Sequence, residues 1–513
     1  MPARVGMTIS ALVVALTAAV AWQMTSLALG ASAAQAVHRA LTIGLILFGA
    51  VTLLKTMQET NALNRIKFGL HSMSSDMRVQ TVIVAFAFVS LIEGISGFGT
   101  PAIVAAPLLM VLGFRPLAAA SLALLGDTVA CTFGAVGTPL IVGLENVPNY
   151  SADLAFVVGA QAAMFDLLIG TLLPLGLIAL LIFAFGNQTW RSRWRSLLEV
   201  APWALFIGLT YSLSAVLISR TAGPEFASII AGAISLLVAS VTAHYNWLTP
   251  NNTWRHHAHE DTSEQLTPKN VAHIPIWKAW LPYGLVIILL LLTRTVPAVK
   301  QFITQVADAS WHNIFGVEGV SSTWEILYSP GTILLIGAIF AALLTKNPLK
   351  SLALAGKSSV KTTIGALSAL VPTLIMVQIF ANSGVNTSDL ASMPVLIAQT
   401  LAGIFGEFWL AIAPALGMIG AFISGSATVS TLTMAPVQYS ISMDTNLPVI
   451  VVLALQMIGA AAGNILAVHN VVAASVVVGL SHREGLIMRR LLIPTAIYLL
   501  LAMLIGLAYV IFL

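Results

Sequence analysis

The stretch "GISGFGTPAIVAAP" (Gly94–Pro107) sits inside a run that is otherwise apolar from Val79 to Leu112. It brings three glycines, two prolines, a serine and a threonine into a hydrophobic span. In a water-soluble chain it would read as a loop, whereas in a bilayer it reads as a break in a membrane helix. Composition decides between the two. Of 513 residues, 58% are hydrophobic and 8% charged, with a mean hydropathy of +0.94. Soluble globular proteins carry about 25% charged residues, so this is an integral membrane protein. Apolar windows near the ~20 residues that a spanning helix needs recur along the chain, unlike the alternating pattern of an outer-membrane barrel. The expected fold is an all-α polytopic membrane protein.

Spans are expected near 7–29, 38–54, 117–143, 154–185, 203–219, 226–243, 281–297, 330–345, 363–381, 448–480 and 491–513. Met7–Leu29 reads as the first span, because it is too long and too weakly basic in front for a cleaved leader. Lys and Arg gather in the loops 55–78, 190–195, 346–361 and 483–490, whereas 144–153 and 382–393 contain none. The positive-inside rule puts the first four in the cytoplasm and the last two outside. The N-terminus is then cytoplasmic and the C-terminus external. The basic residues serve as cytoplasmic anchors, so the net charge of +4 does not point to nucleic acid. The single cysteine, Cys131, excludes intrachain disulfides and a Cys-based metal site.

This parity has a consequence. Arg78 and Arg115 both read as cytoplasmic, with one apolar segment between them. Segment 79–113 must therefore enter and leave on one side, as a re-entrant hairpin. Segment 394–443, between Asp389 and Asp444, behaves likewise from outside, with the tip "ISGSATVS" (Ile423–Ser430). The alternative for it is a full span followed by a short hairpin. The polar stretch 244–280 then separates an N-terminal repeat (1–243) from a C-terminal one (281–513). Its histidines (His244, His256, His257, His259, His273) lack partners at metal-ligand spacing and read as a solvated cytoplasmic linker.

Gly99-Thr100 is followed 38 residues later by Gly137-Thr138, and Gly425-Ser426 is followed 38 residues later by Gly463-Asn464. The two pairs are 326 residues apart. Each half thus carries a glycine tip followed by a broken span, and the opposite entry sides make the repeats inverted. Broken spans at matching places in two halves mark secondary transporters. Irregular backbone at membrane depth must be buried in protein or line a cavity, because lipid offers its amides and carbonyls no partner. Half-helix N-termini can then hold an anion on free N–H groups. The candidate substrate-binding residues are Ser96, Gly97, Gly99, Thr100, Gly137, Thr138, Ser424, Gly425, Ser426, Thr428, Asn464, His469 and Asn470. Tight helix packing is the competing reading of the same Gly, Ser and Thr residues.

Ionisable groups at depth are costly and point to function. Glu93, Asp127 and His469 are the proton-coupling candidates, with half-helix capping as the alternative for the two acids. Asp166 reads as facing the scaffold. No HExxH or GxSxG motif is present, and no soluble signalling domain accompanies the spans, which disfavours a membrane enzyme or a sensor. No cofactor and no metal are expected.

"EGISGFGTPAIVAAPLL" (Glu93–Leu109), "GFRPLAAASLALLGD" (Gly113–Asp127) and "FGAVGTPLIVGL" (Phe133–Leu144) strongly resemble the bacterial lactate permease family. The second half resembles it more weakly, through "GAFISGSATVS" (Gly420–Ser430) and "GNILAVHNVVAAS" (Gly463–Ser475). The resemblance implies a multi-pass inner-membrane secondary transporter, not an enzyme, that imports lactate or glycolate with protons. It implies a substrate-carrying domain moving against a fixed scaffold, in a superfamily where homodimers are common. Another small organic anion, or sodium coupling, is the alternative. The chain departs from the family pattern at Ala427, where an aspartate is typical, and at Asn464, where a lysine is typical. Val468 and His469 replace a typical proline and glutamine.

Overall fold

The computed structural model describes residues 3–62, 65, 74–97, 99–144, 147–148, 150–255, 275–344 and 347–512. Among the described residues the chain is helical, apart from turns, loops and two isolated β-bridges. Seven helices are long and apolar enough to cross a membrane, and shorter apolar helices accompany them. His256, His257, His259 and His273 lie outside the described residues.

The first two helices are α1 (Ala3–Val20) and α2 (Ser26–Glu59). The expected spans 7–29 and 38–54 are thus redrawn. The chain turns at 21–25, where Gln23 takes φ +50° and the Thr25 hydroxyl caps α2 by accepting the Ala28 N–H at 3.2 Å. Next comes a continuous helix, α3, running from Met77–Gln80 through a π-helical Thr81–Phe88 to Val89–Ser96. After the tip comes α4 (Thr100–Val111). The first broken span consists of α5 (Pro116–Gly126), α6 (Thr128–Cys131) and α7 (Gly134–Ile141). Long helices α8 (Ala152–Phe185), α9 (Trp190–Thr221) and α10 (Pro224–His244) follow.

Beyond the polar stretch come α11 (Ile276–Thr295), α12 (Pro297–Val306), α13 (Pro330–Leu343) and α14 (Pro348–Ala381). The segment expected as one hairpin over 394–443 contains a separate helix, α15 (Met393–Phe405), ended by Gly406 at φ +43°. The hairpin proper is α16 (Trp409–Ser424) and α17 (Ala427–Asp444). The second broken span is α18 (Val449–Leu466) and α19 (Val468–Val477), and α20 (Glu484–Phe512) ends the chain. Helices α9 and α14 start well before their apolar windows at 203 and 363, because hydropathy registers only the stretch that is apolar.

Burial separates a frame from an interior. The window of α3 is 94% buried and that of α18 89%, against 28% for α20. α2 packs along α14 and α13, α1 packs along α14, and α16 packs along α18. The α16–α18 crossing is close because Gly459 and Gly463 lie one turn apart on the contact face of α18, where a Cβ would meet the Pro414 and Met418 carbonyls. A buried polar chain ties the second hairpin to α18. Trp409 Nε1 donates to Gln438 Oε1 at 2.7 Å, Gln438 Nε2 to Gln456 Oε1 at 2.8 Å, and Gln456 Nε2 to Ser430 Oγ at 3.2 Å. Satisfying every buried polar group in this way fixes one register of the hairpin.

Arg78, expected in a cytoplasmic loop, is 1% exposed at the start of α3. Its guanidinium meets Asp76 at 2.6 Å, donates to the Ser196 carbonyl at 2.6 Å, and donates to the Asn252 carbonyl at 2.7 Å. Asp76 in turn accepts the Trp254 N–H at 3.1 Å. One arginine therefore locks the root of the first hairpin to α9 and to the strand of chain leaving α10. Removing one partner of a buried pair costs about 3–5 kcal/mol, because the other charge is left uncompensated. Arg78→Met is expected to lower the thermal unfolding midpoint of the purified protein markedly, and Asp76→Asn with Arg78→Met to recover part of the loss. An unchanged midpoint in the single variant would contradict this.

Candidate functional site

The four breaks come together. At the first tip Gly97 (φ +60°) and Gly99 (φ +74°) hold left-handed backbone that L side chains rarely adopt. In the first broken span Ala135, Val136 and Gly137 are all left-handed, with φ of 46°, 57° and 71°. At the second tip Gly425 (φ +75°) ends α16, and Ser426 caps α17 by accepting the Val429 N–H at 3.4 Å. The second broken span is interrupted at Ala467.

These segments enclose a niche. The first half supplies Glu93, Gly97, Cys131, Gly134, Ala135 and Pro139, and the second supplies Gly425, Ser426, Ala427, Thr428 and Asn464. Ala427 and Thr428 are the first residues of α17, whose first-turn N–H groups have no partner within the helix. The free volume is about 20 Å³, enough for one water, which needs roughly 10–15 Å³, and too little for an organic anion. The carboxyl groups of Glu93 and Asp127 lie side by side, with the Cys131 thiol next to Glu93, and Glu93 Oε2 and Asp127 Oδ1 are buried without a hydrogen-bond partner. Gly134 makes room for the pair, since a Cβ there would overlap Glu93 Oε1. Asp127 makes no side-chain cap, so the capping alternative is not realised.

Asp166 is buried between α20 and the first break. It accepts from Tyr498 of α20 at 3.1 Å and from Thr132, inside the first break, at 3.5 Å.

Two larger cavities flank the second tip. One, of about 440 Å³, is lined by Gly6, Met7 and Ser10 of α1, by Val377 of α14, and by His482 and Glu484. The other, of about 370 Å³, is lined by Arg39 and Thr42 of α2, by Trp324, Glu325 and Tyr328, and by Gln378 of α14. Both share Leu374, Ser424, Gly425 and His469. The loop before α13 shapes the second cavity and is held by His38, whose ring nitrogens bond Ser322 Oγ at 2.8 Å and the Ala309 carbonyl at 2.9 Å. Among the described residues no carboxylate forms an ion pair with Arg39.

The residues singled out from the sequence divide. Gly97, Gly425, Ser426, Thr428, Asn464 and Glu93 line the niche, with Asp127 directly behind it. Ser424 and His469 line both cavities. Asn470 acts within the break, its amide donating to the Asn464 carbonyl at 3.0 Å and to Asn464 Oδ1 at 2.9 Å, and its Oδ1 rests against Gly99. Thr100 does not reach the niche: its hydroxyl is buried without a partner, in an apolar gap beside Phe88, Tyr283 and Leu334. Gly137 packs on the backbone of Glu225, and the Thr138 hydroxyl donates to the Ala135 carbonyl, so neither residue lines the niche. The backbone of Ser96 ends α3, and its side chain lies outside the described set. Arg39 was missed, although an arginine at the start of a span read as 38–54 is itself an intramembrane-charge signal.

The fold and site thus define a polytopic, all-helical membrane protein whose broken helices converge on buried carboxyl groups. The family model for L-lactate permease matches residues 1–513. A Haemophilus influenzae protein named as an L-lactate permease is 31% identical over 477 residues, 88% of this chain and 84% of the relative. The L-lactate permease of Bacillus subtilis is 26% identical over 487 residues (88% and 81%), and the glycolate permease GlcA of Escherichia coli 24% over 476 residues (87% and 80%). The chain belongs to the L-lactate permease family.

A Cβ on residue 425 would overlap the His469 imidazole, and φ +75° strains any L side chain there. Gly425→Ala is expected to lower transport at least tenfold at unchanged expression. His469→Ala in the same chain should restore part of it, because the overlap goes while the roughly 1 kcal/mol backbone strain stays. Flux assays on the single and double variants check this, and a double variant no better than Gly425→Ala would exclude the steric cause.

Proposed function

We propose that the protein imports lactate or a similar small 2-hydroxy monocarboxylate, such as glycolate, together with a proton. The observation that carries this reading is the second tip. Gly425, Ser424 and His469 border two separate cavities, and Gly425 also borders the closed niche that holds Glu93. By the distribution of Lys and Arg, the cavity at Arg39 opens outward and the one at Met7 and Glu484 opens to the cytoplasm. The names of the relatives support the substrate class.

In this reading Arg39 draws the carboxylate into the outer cavity, where Gln378 and Ser424 offer neutral hydrogen-bonding groups. The anion then meets the N-terminus of α17, where the amides of Ala427 and Thr428 and the helix dipole favour negative charge. The Glu93–Asp127 pair takes up the coupled proton, so that anion and proton cross as a neutral load. The niche as it stands is too small for lactate. The hairpins and broken helices must therefore move as a body against the frame of α1, α2, α13 and α14, as expected for two inverted halves around one central site.

The test is uptake of labelled lactate into proteoliposomes under an imposed pH gradient. Arg39→Gln removes a charge-assisted hydrogen bond of about 1.5–3 kcal/mol, so KM for lactate should rise roughly tenfold to a hundredfold at a similar maximal rate. Glu93→Gln should abolish accumulation driven by the pH gradient while lactate–lactate exchange continues. Accumulation by wild-type protein under a sodium gradient alone would overturn proton coupling, and absence of any lactate flux would overturn the substrate.

A further inference from the structure

A third cavity lies away from the niche, in the cleft between α8 and α20, with a volume of about 520 Å³. Its walls are apolar, with Leu172, Leu173 and Leu180 on α8 facing Ile493, Ile497 and Leu501 on α20. The cleft exists because the facing positions are small or lack reach: Gly176 and Ala179 on one helix, Pro494 on the other. At one end stand Arg489 and Arg490, both exposed, and neither has a carboxylate partner among the described residues. The Arg490 guanidinium lies over the Phe185 ring at 5.6 Å, a contact that leaves its charge uncompensated by any described carboxylate.

The same end carries interfacial aromatics. Trp190 and Trp194 are 65% and 45% exposed and pack on Phe183, with ring centroids 5.2 and 5.1 Å away. Exposed tryptophans beside arginines mark the headgroup level of a bilayer. From Arg489 to Leu501 the helix rises about 18 Å at 1.5 Å per residue, slightly more than half the ~30 Å hydrocarbon core. The groove is thus as deep as one leaflet, charged at the headgroup and apolar below.

We infer that this cleft binds one anionic phospholipid, its phosphate on Arg489 and Arg490 and one acyl chain along Gly176 and Pro494. Charge complementarity selects the occupant: two unpaired arginines at the cytoplasmic end match the anionic inner leaflet, and a zwitterionic lipid gains less from them. The lipid fills the gap between two helices that Tyr498 and Asp166 join deeper in, so it braces that junction. The inference is independent of what the protein transports.

The test uses the full-length purified protein in detergent, equilibrated with equal amounts of phosphatidylglycerol and phosphatidylcholine, with retained lipid counted by native mass spectrometry. Two arginines near a lipid phosphate give a preference of roughly thirtyfold. Arg489→Gln with Arg490→Gln should bring the ratio close to one. Gly176→Leu should cut total retained lipid severalfold with the helical signal intact, because a Cβ there meets only open space and the side chain would fill the groove. Equal retention of the two lipids by wild-type protein, or displacement of phosphatidylglycerol by inorganic phosphate, overturns the proposal. So does a Gly176→Leu variant that changes the oligomeric state with lipid retention unaltered, since the cleft would then be a contact between copies of this chain.

Discussion

A bilayer gives a broken helix nothing to bond with. Each amide or carbonyl released by the turns at Gly97–Gly99, Ala135–Gly137, Gly425 and Ala467 must find a partner inside the protein or lose several kcal/mol. The least costly arrangement is to stack the breaks on one another, and that is what the chain does. Asn470 spans the second break with two bonds to Asn464, and Ser426 caps the helix that leaves the second tip. Neighbouring helices then keep lipid away from this interior, α10 and α7 against α3, and α16, α17, α8 and α20 against α18. The 94% burial of α3 and 89% of α18 follow from that constraint.

The same constraint shapes the charges. Glu93 and Asp127 lie side by side in a space that Gly134 leaves open, and Asp166 is held by two hydroxyls. None of the three has a basic partner among the described residues. Arg78, by contrast, is buried with its compensation complete, in Asp76 and two backbone carbonyls. The contrast separates a charge held in a closed set of bonds from carboxyl groups buried without a counter-charge. The locked pair gives rigidity at the root of the hairpin, whereas the uncompensated carboxyl groups are the feature on which the proposed proton coupling rests.

The tips were legible because glycine, proline and small polar residues inside apolar runs have one explanation in lipid. Breaks were predicted at Gly97–Gly99, Gly137, Gly425 and Gly463–Asn464, and the structure has them at those places or within a few residues. Direction was not legible. Thr100 sits one residue past a tip and still points into an apolar gap, because the first turn of α4 rotates it toward α11 and α13. Nor does hydropathy separate a hairpin from the helix before it, which is why α15 merged with α16. Arg39 was overlooked because its neighbours on α2 place it at the end of an apolar window, and the vestibule it faces is closed by a loop on the other side of the linker, whose bonds to His38 span 271 and 284 residues.

The departures from the family pattern now have a place in three dimensions. Ala427 and Asn464 line the same niche, and both lie within reach of Cys131, which packs with Ala427, Ala460 and Ala461 in one small cluster. The aspartate and lysine that the resemblance implies for typical members would both border this niche. Replacing both removes a charge of each sign from one small volume and leaves no orphan, whereas replacing either alone would strand a buried charge at a cost of several kcal/mol. Without them, the one carboxyl group among the described residues of the niche's lining is that of Glu93, with Asp127 behind it. Among the described residues that line the niche and the two cavities, the permanent positive charge is then that of Arg39, at the mouth of one cavity, and the His469 ring borders both cavities without a hydrogen bond to a described residue. In the proposed transport reading, attraction of the anion then falls to Arg39 at the entrance and to backbone amides at the centre.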